Sequence, residues 1–171
     1  MAALVAEKIG EVEVWRHSAH IIHTVVRICA GDFTQEESLS GPEPQGNCLN
    51  WVLGHLLRVY DRVLPALGQA PVMGLERLER YGRGSARLCE PGEAVDLKEL
   101  LSAWDETVKR LDAGLARLTL ERLDEPAPFS PTNYSKETMR SLLTTMFFHQ
   151  SYHAGQAGML RRMAGKPGAM G

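Results

Sequence analysis

A chain of 171 residues, 44% hydrophobic and 23% charged, has the length of one soluble globular domain (1–171) and can bury a core without covalent staples. Its formal net charge is −2 and its Lys and Arg are scattered rather than striped, which argues against nucleic acid as the main partner. Cys29, Cys48 and Cys89 form neither a disulfide framework nor a Cys-x-x-Cys pair, and no apolar run approaches the ~18 residues of a membrane span, so a reduced, cytoplasmic setting with no membrane is expected.

The first helix is expected over about residues 3–29, where Val5, Ile9, Val12, Trp15, Ala19, Ile22 and Val26 recur at helical period. The short apolar patch Ala2 to Ala6 runs at once into Glu7 and Lys8 and does not read as a signal peptide. His17, His20 and His23 lie three apart on this helix and fan around it, so they cannot share one ion. His17 and His20 read as solvated surface. His23 falls inside the stripe, as a pocket candidate or a hydrogen-bonded core histidine. Gly31 to Asn47, rich in Gly, Pro, Ser and acidic residues, is long for a helix–helix joint, where about two to eight residues is usual.

A second helix is expected from about Cys48 to Leu67 with Asn47 as its cap. Val52, Leu56, Val59, Tyr60, Val63 and Leu67 form its apolar face, with His55 at the margin, one turn from Trp51. Gly54 leaves room there for a close neighbour. Gly68 to Val95 is rich in Gly and Pro, with a short helix expected near Leu75 to Arg80. The third long helix spans about Asp96 to Leu118, capped by Asp96, with Leu97, Leu100, Leu101, Trp104, Val108, Leu111, Leu115 and Leu118 inward. It has no histidine or cysteine and reads as a wall. Thr119 to Tyr134 is broken by Pro126, Pro128 and Pro131. Ser135 then caps a fourth helix that runs to about Ala164 and stops at Gly165-Lys166-Pro167-Gly168. Four stripes and no strand predict an all-α four-helix bundle with long crossover connections.

The fourth helix carries an unusual seam. Leu142, Met146, His149, His153, Gln156, Leu160 and Met163 alternate by four and three, the spacing of a core-facing face. Two imidazoles and an amide stand where a bundle helix keeps leucines. Histidines four apart have Cβ atoms about 5–6 Å from each other and can share one cation, which would offset the cost of burying them. The other reading is a pair of core histidines bonded to backbone or water. Adding His55 from the second helix makes three imidazoles, the ligand set of an open zinc-type site, and one that also suits nickel, iron, cobalt or manganese.

The run Asn50-Trp51-Val52-Leu53-Gly54-His55-Leu56, the run His149-Gln150-Ser151-Tyr152-His153-Ala154-Gly155-Gln156 and the tail Leu160 to Gly168 resemble the DinB/YfiT-like superfamily of small bacterial metalloproteins, over nearly the whole chain. The resemblance implies a four-helix bundle, a divalent metal (zinc or nickel foremost) on His55, His149 and His153, and frequently a homodimer. Members often have Asp after the first helix-four histidine, where this chain has Gln150, which removes a carboxylate from that position.

Gln150 cannot act as the base that a His-Glu-x-x-His protease needs, and there is no Glu-x-x-His pair for a di-iron centre. Two enzyme chemistries remain for a small-molecule substrate. In one, the metal activates a low-molecular-weight thiol for attack on an electrophile, as the resemblance to S-transferases and isomerases suggests. In the other, metal-activated water hydrolyses an ester or amide. A metal- or ligand-binding bundle without turnover is the third reading. Trp51, Tyr60, Tyr152, Gln156 and His23 are the candidates for the pocket or for supporting contacts. Cys48, two turns from His55, reads as a small buried residue.

Overall fold

The computed structural model describes residues 10–44, 46–88 and 90–170. The expected helix start near residue 3, with Val5 and Ile9, and the cysteine at position 89 lie outside them. The fold is all-α, with six α-helices and no strand among the described residues: α1 (Gly10–Ala30), α2 (Gln35–Leu39), α3 (Leu49–Val63), α4 (Leu97–Leu115), α5 (Leu120–Asp124) and α6 (Met139–Met163). The expected four helices are the long ones, α1, α3, α4 and α6. They pack in a ring, each against two neighbours, in the order α1, α6, α3, α4. None of the described helices is long and apolar enough to cross a membrane.

The periodic stripes are the faces that meet. Val12, Trp15, Ala19, Ile22 and Val26 of α1 are buried, as are Leu97, Leu100, Leu101, Trp104, Leu111 and Leu115 of α4. Asp96 caps α4, its carboxylate accepting from the backbone N–H of Lys98 at 2.8 Å and of Glu99 at 3.2 Å. The short α2 and α5 were not expected, because five residues carry no periodic stripe. Each is set by a threonine cap: Thr34 with Glu37 in a capping box, and Thr119 accepting from the N–H of Arg122.

Three boundaries differ from expectation. Cys48, not Asn47, caps α3, its sulfur accepting from the Trp51 N–H at 3.5 Å. That helix stops at Val63 rather than Leu67, and Pro65 starts a 3-10 turn over Leu64–Leu67. The fourth long helix begins at Met139, capped by Thr138 in a capping box with Ser141, and not at Ser135. The stretch before it folds back on itself. Ala127 N–H donates to the Glu137 carbonyl at 2.9 Å and Met139 N–H to the Glu125 carbonyl at 3.0 Å. The buried Glu137 carboxylate accepts from the hydroxyls of Ser130 and Ser141. Phe129 and Pro131 are thereby held against the groove between α3 and α6.

The segment between α3 and α4 forms no regular helix near Leu75 to Arg80, only turns and a 3-10 turn at Glu79–Tyr81. It nevertheless covers α3. The buried Asp61 carboxylate accepts from the N–H groups of Val72, Met73 and Gly74 at 2.7–2.9 Å. Leu78, Tyr81, Leu88 and Val95 are buried against the core. This cover explains why α3 is hidden on nearly all sides from Leu49 to Leu57.

Candidate metal centre

The expected seam of α6 faces the core in part: Leu142, Met146, His153 and Leu160 are buried, His149 and Gln156 are half-buried and Met163 is exposed. A fully covered line lies beside it, through Met139, Leu143, Gln150 and Ala157. From Leu142 to Gln156 the seam is also one wall of a pocket of about 630 Å³ between α3 and α6. The cost of burying imidazole on a helix is met here by placing the rings where the core opens.

At the pocket's inner wall the Nε2 atoms of three histidines converge. His149 Nε2 lies 3.2 Å from His55 Nε2 and 3.2 Å from His153 Nε2, and the three candidate ligand atoms all fall within 4.8 Å of one another. Three nitrogens about 2.0–2.1 Å from a tetrahedral ion sit about 3.3 Å apart, close to the two separations of 3.2 Å found here.

Two of the rings are held from behind. His55 Nδ1–H donates to the Tyr81 carbonyl at 2.7 Å, and a carbonyl only accepts, so the proton is on Nδ1 and Nε2 presents a lone pair. His153 Nδ1–H donates in the same way to Gln156 Oε1 at 2.7 Å. Trp51 lies flat on His55, ring centroids 4.6 Å apart and planes 9° apart, and its Nε1–H donates to Ser85 Oγ at 2.9 Å. Behind His55, the Tyr81 hydroxyl donates to Asn50 Oδ1 and accepts from the Val95 N–H, both at 2.8 Å. The room that Gly54 leaves is taken by the ring of Tyr81, which a Cβ would strike.

Two fixed lone pairs thus point at one His149 nitrogen, which has at most one proton to offer. His149 Nδ1, on the other side of the ring, is buried with no hydrogen-bond partner. No tautomer satisfies all three rings, whereas one cation would take all three Nε2 lone pairs. The electrostatics agree. Burial, followed by the neighbouring rings of His153 and His55, pushes His149 down to about 4. Burial also lowers His55 and His153 below the ordinary histidine value. All three are therefore neutral at pH 7, the form a metal binds.

Tyr152 is exposed, stands edge-on to His153 at 5.2 Å and lines the pocket, as Trp51 and Gln156 do. His23 and Tyr60 are elsewhere. They flank Trp104, with ring centroids at 6.0 and 5.5 Å, where α1, α3 and α4 meet. His23 Nε2 is 2.9 Å from Asp105, which pairs also with Arg27, and burial drives the Tyr60 hydroxyl upward. His17 and His20 are exposed. Cys48 is buried, and that burial raises its thiol, as suits a structural cap and not a nucleophile.

Gln150 is fully buried and turned away from the histidines, its Nε2 donating to the Leu56 carbonyl at 3.4 Å. Position 150 therefore addresses the backbone of α3, not a ligand. The contributors that sequence reasoning missed are the Tyr81 carbonyl, Ser85, Arg62, Arg83 and Phe129. Only Arg62 carried a signal. It stands seven residues after His55, two helical turns along the same face of α3.

Residues 16–157 match the family model of the DinB superfamily. No curated protein matches the sequence. Among solved structures, a conserved protein from Enterococcus faecalis has the same fold, with a TM-score of 0.71 at 19% identity, covering 93% of this chain and 98% of that one.

Proposed function

The chain belongs to the DinB superfamily, and we propose from that premise that it is a metal-dependent enzyme in which His55, His149 and His153 hold one divalent cation and a low-molecular-weight thiol attacks an electrophilic small molecule. The observation that carries the reading is the convergence of three neutral imidazole nitrogens, two with their tautomers fixed from behind, at the wall of an open pocket. Three nitrogen ligands with a free position suit zinc or nickel.

A cation bound there would supply a Lewis-acid centre that lowers the pKa of a coordinated thiol. Protein residues supply the rest. Trp51 and Tyr81 fix His55, Gln156 fixes His153, and the pocket walls exclude bulk water from one side of the reacting atoms. In the transfer the sulfur–carbon bond forms, the bond from carbon to the leaving group breaks with its electron pair, and the thiol proton passes to solvent. Among the described residues no Asp or Glu lines the pocket. A hydrolase would want such a group as general base or acid, whereas a thiol activated by coordination needs none. Transfer is therefore favoured over hydrolysis, and a binding bundle without turnover is the third reading.

We extend the proposal to a cytoplasmic homodimer. Cys29 and Cys48 are free thiols. The face shared by α1 and α6 exposes Ile21, Ile28, Phe148, Met159 and Met163, apolar surface of the kind that pairs. Sedimentation should give twice the chain mass.

Elemental analysis of protein purified without chelator tests the core claim. About one divalent ion per chain is expected. Absence of metal after reconstitution with zinc, nickel and cobalt would remove it. Loaded protein that consumes no thiol against a panel of electrophiles, but hydrolyses esters, would select the hydrolase.

A further inference from the structure

The pocket that holds the three histidines is much longer than a metal site requires, and its two ends differ. On α3, His55, Val59, Arg62 and Val63 share one face; on α6, Leu142, Thr145, Met146 and His149 share another. Together with Phe129 they line an arm two helical turns long, about 10 Å by helical rise from His55 to Arg62. Between the histidines and the far end its walls are apolar apart from Thr145, and at the far end Arg62 is exposed.

Arg62 is placed for recognition. Its guanidinium lies over the Phe129 ring at 4.4 Å from the centroid. Phe129 belongs to the folded-back segment that Glu137 pins, so the stacked face is supplied by an ordered loop. Stacking occupies the face of a guanidinium and leaves its N–H edge free. Among the described residues no ion pair joins a carboxylate to Arg62 or to Arg83, the two arginines of the pocket, whereas Arg16, Arg77 and Arg161 are each paired with one. The whole chain carries more acidic than basic residues, 21 against 19, yet among the described residues the pocket lining has two arginines and no acidic group. That inversion is what an anionic ligand would meet.

We propose that this arm is the substrate subsite for a molecule with a short apolar chain ending in a carboxylate, the carboxylate paired with the edge of Arg62 and the reacting end beside His149. A phosphate would want several donors. One guanidinium edge above an apolar wall offers the two parallel N–H groups that match a single carboxylate. The inference rests on the metal reading of the three histidines, and Arg62 is a specificity residue outside that set.

The test uses cobalt-loaded protein and a series of ω-mercaptoalkanoates from mercaptoacetate to 8-mercaptooctanoate, beside 6-mercaptohexanol. Binding is followed by the thiolate–cobalt absorption band. Affinity should rise about three- to fourfold per methylene and peak near the acid of six carbons. That acid should bind on the order of tenfold tighter than the alcohol. Arg62→Gln should abolish the acid's advantage and leave the alcohol's affinity unchanged, and Arg83→Gln, at the other end of the pocket, should retain the advantage. Equal binding of acid and alcohol by the native protein, or a preference surviving in R62Q, would overturn the proposal. If no cobalt binds or no thiolate band develops, the reading of the centre fails separately. Calorimetry of hexanoate against hexanol, with native protein and R62Q, then decides the carboxylate subsite by the same comparison.

Discussion

Two clusters with a histidine stacked on an indole are built from similar parts in this protein and come to opposite ends. Around Trp104, His23 stacks on an indole, bonds to Asp105 and sits in a helix interface. Around Trp51, His55 stacks on an indole, bonds to a carbonyl and sits in a helix interface too. The difference lies in what Nε2 faces. His23 Nε2 meets the carboxylate of Asp105, which accepts its proton in a hydrogen bond. His55 Nε2 meets two more imidazole nitrogens, which cannot all be satisfied by protons. A buried histidine becomes a ligand candidate through what its free nitrogen faces, not through its burial or its aromatic neighbour.

The comparison breaks most sharply at the three converging histidines. His149→Ala should reduce bound metal from about one per chain to none under equilibrium dialysis. His23→Ala should leave it unchanged. Equal metal content in both variants would end the distinction.

The residues that hold those rings come next. Gln156→Ala removes the acceptor that orients His153 and should weaken metal binding about 10- to 100-fold with little change in stability. Asp105→Asn, at the other cluster, should not alter metal affinity. A competition titration with a chromophoric chelator reads both.

Two glycines sharpen the contrast between a packed and an open helix face. Gly54→Ala forces a methyl group into the Tyr81 ring and should cost about 1–3 kcal/mol in urea denaturation. Gly155 on α6 has nothing within 4 Å of where a Cβ would stand. Gly155→Ala should therefore stabilise the chain by about 0.5–1 kcal/mol through helix propensity.

The last contrast is in pH. For the metal-free protein, the unfolded chain takes up protons at its histidines as pH falls through about 6.5. The folded chain resists, because burial lowers His55, His149 and His153. Stability should accordingly be highest above pH 7 and decline below 6.5, with the His149 contribution to that decline ending near 4, where the folded ring also protonates. Denaturation midpoints at pH 8 and pH 5 should show a shallower fall in His149→Leu than in the native chain.

Much of this was legible in the chain itself. Val12, Trp15, Ala19, Ile22 and Val26 declare α1, and the leucines of α4 declare its buried face, because helical period is a local property that burial of one stripe enforces. Asp96 as a cap, and His149 with His153 on one side of α6, follow from spacing alone. The boundaries set by competing caps did not. Ser135 and Thr138 are both adequate caps, and the choice of Thr138 depends on Glu137 being buried among hydroxyls donated from both sides.

What the sequence by itself determined is therefore the all-α architecture and the residues that can lie side by side on one helix. Tertiary structure alone decided that His55 joins His149 and His153 while His23 turns to Asp105, that α6 presents its polar seam to a pocket, and that Gln150 faces the backbone of α3. It also recruited the Tyr81 carbonyl from a connector with no periodic pattern. The physical reason is one of range. Periodicity and caps act over a few residues along the chain, whereas the partner of a ring nitrogen is chosen across space, and every residue carries the same carbonyl.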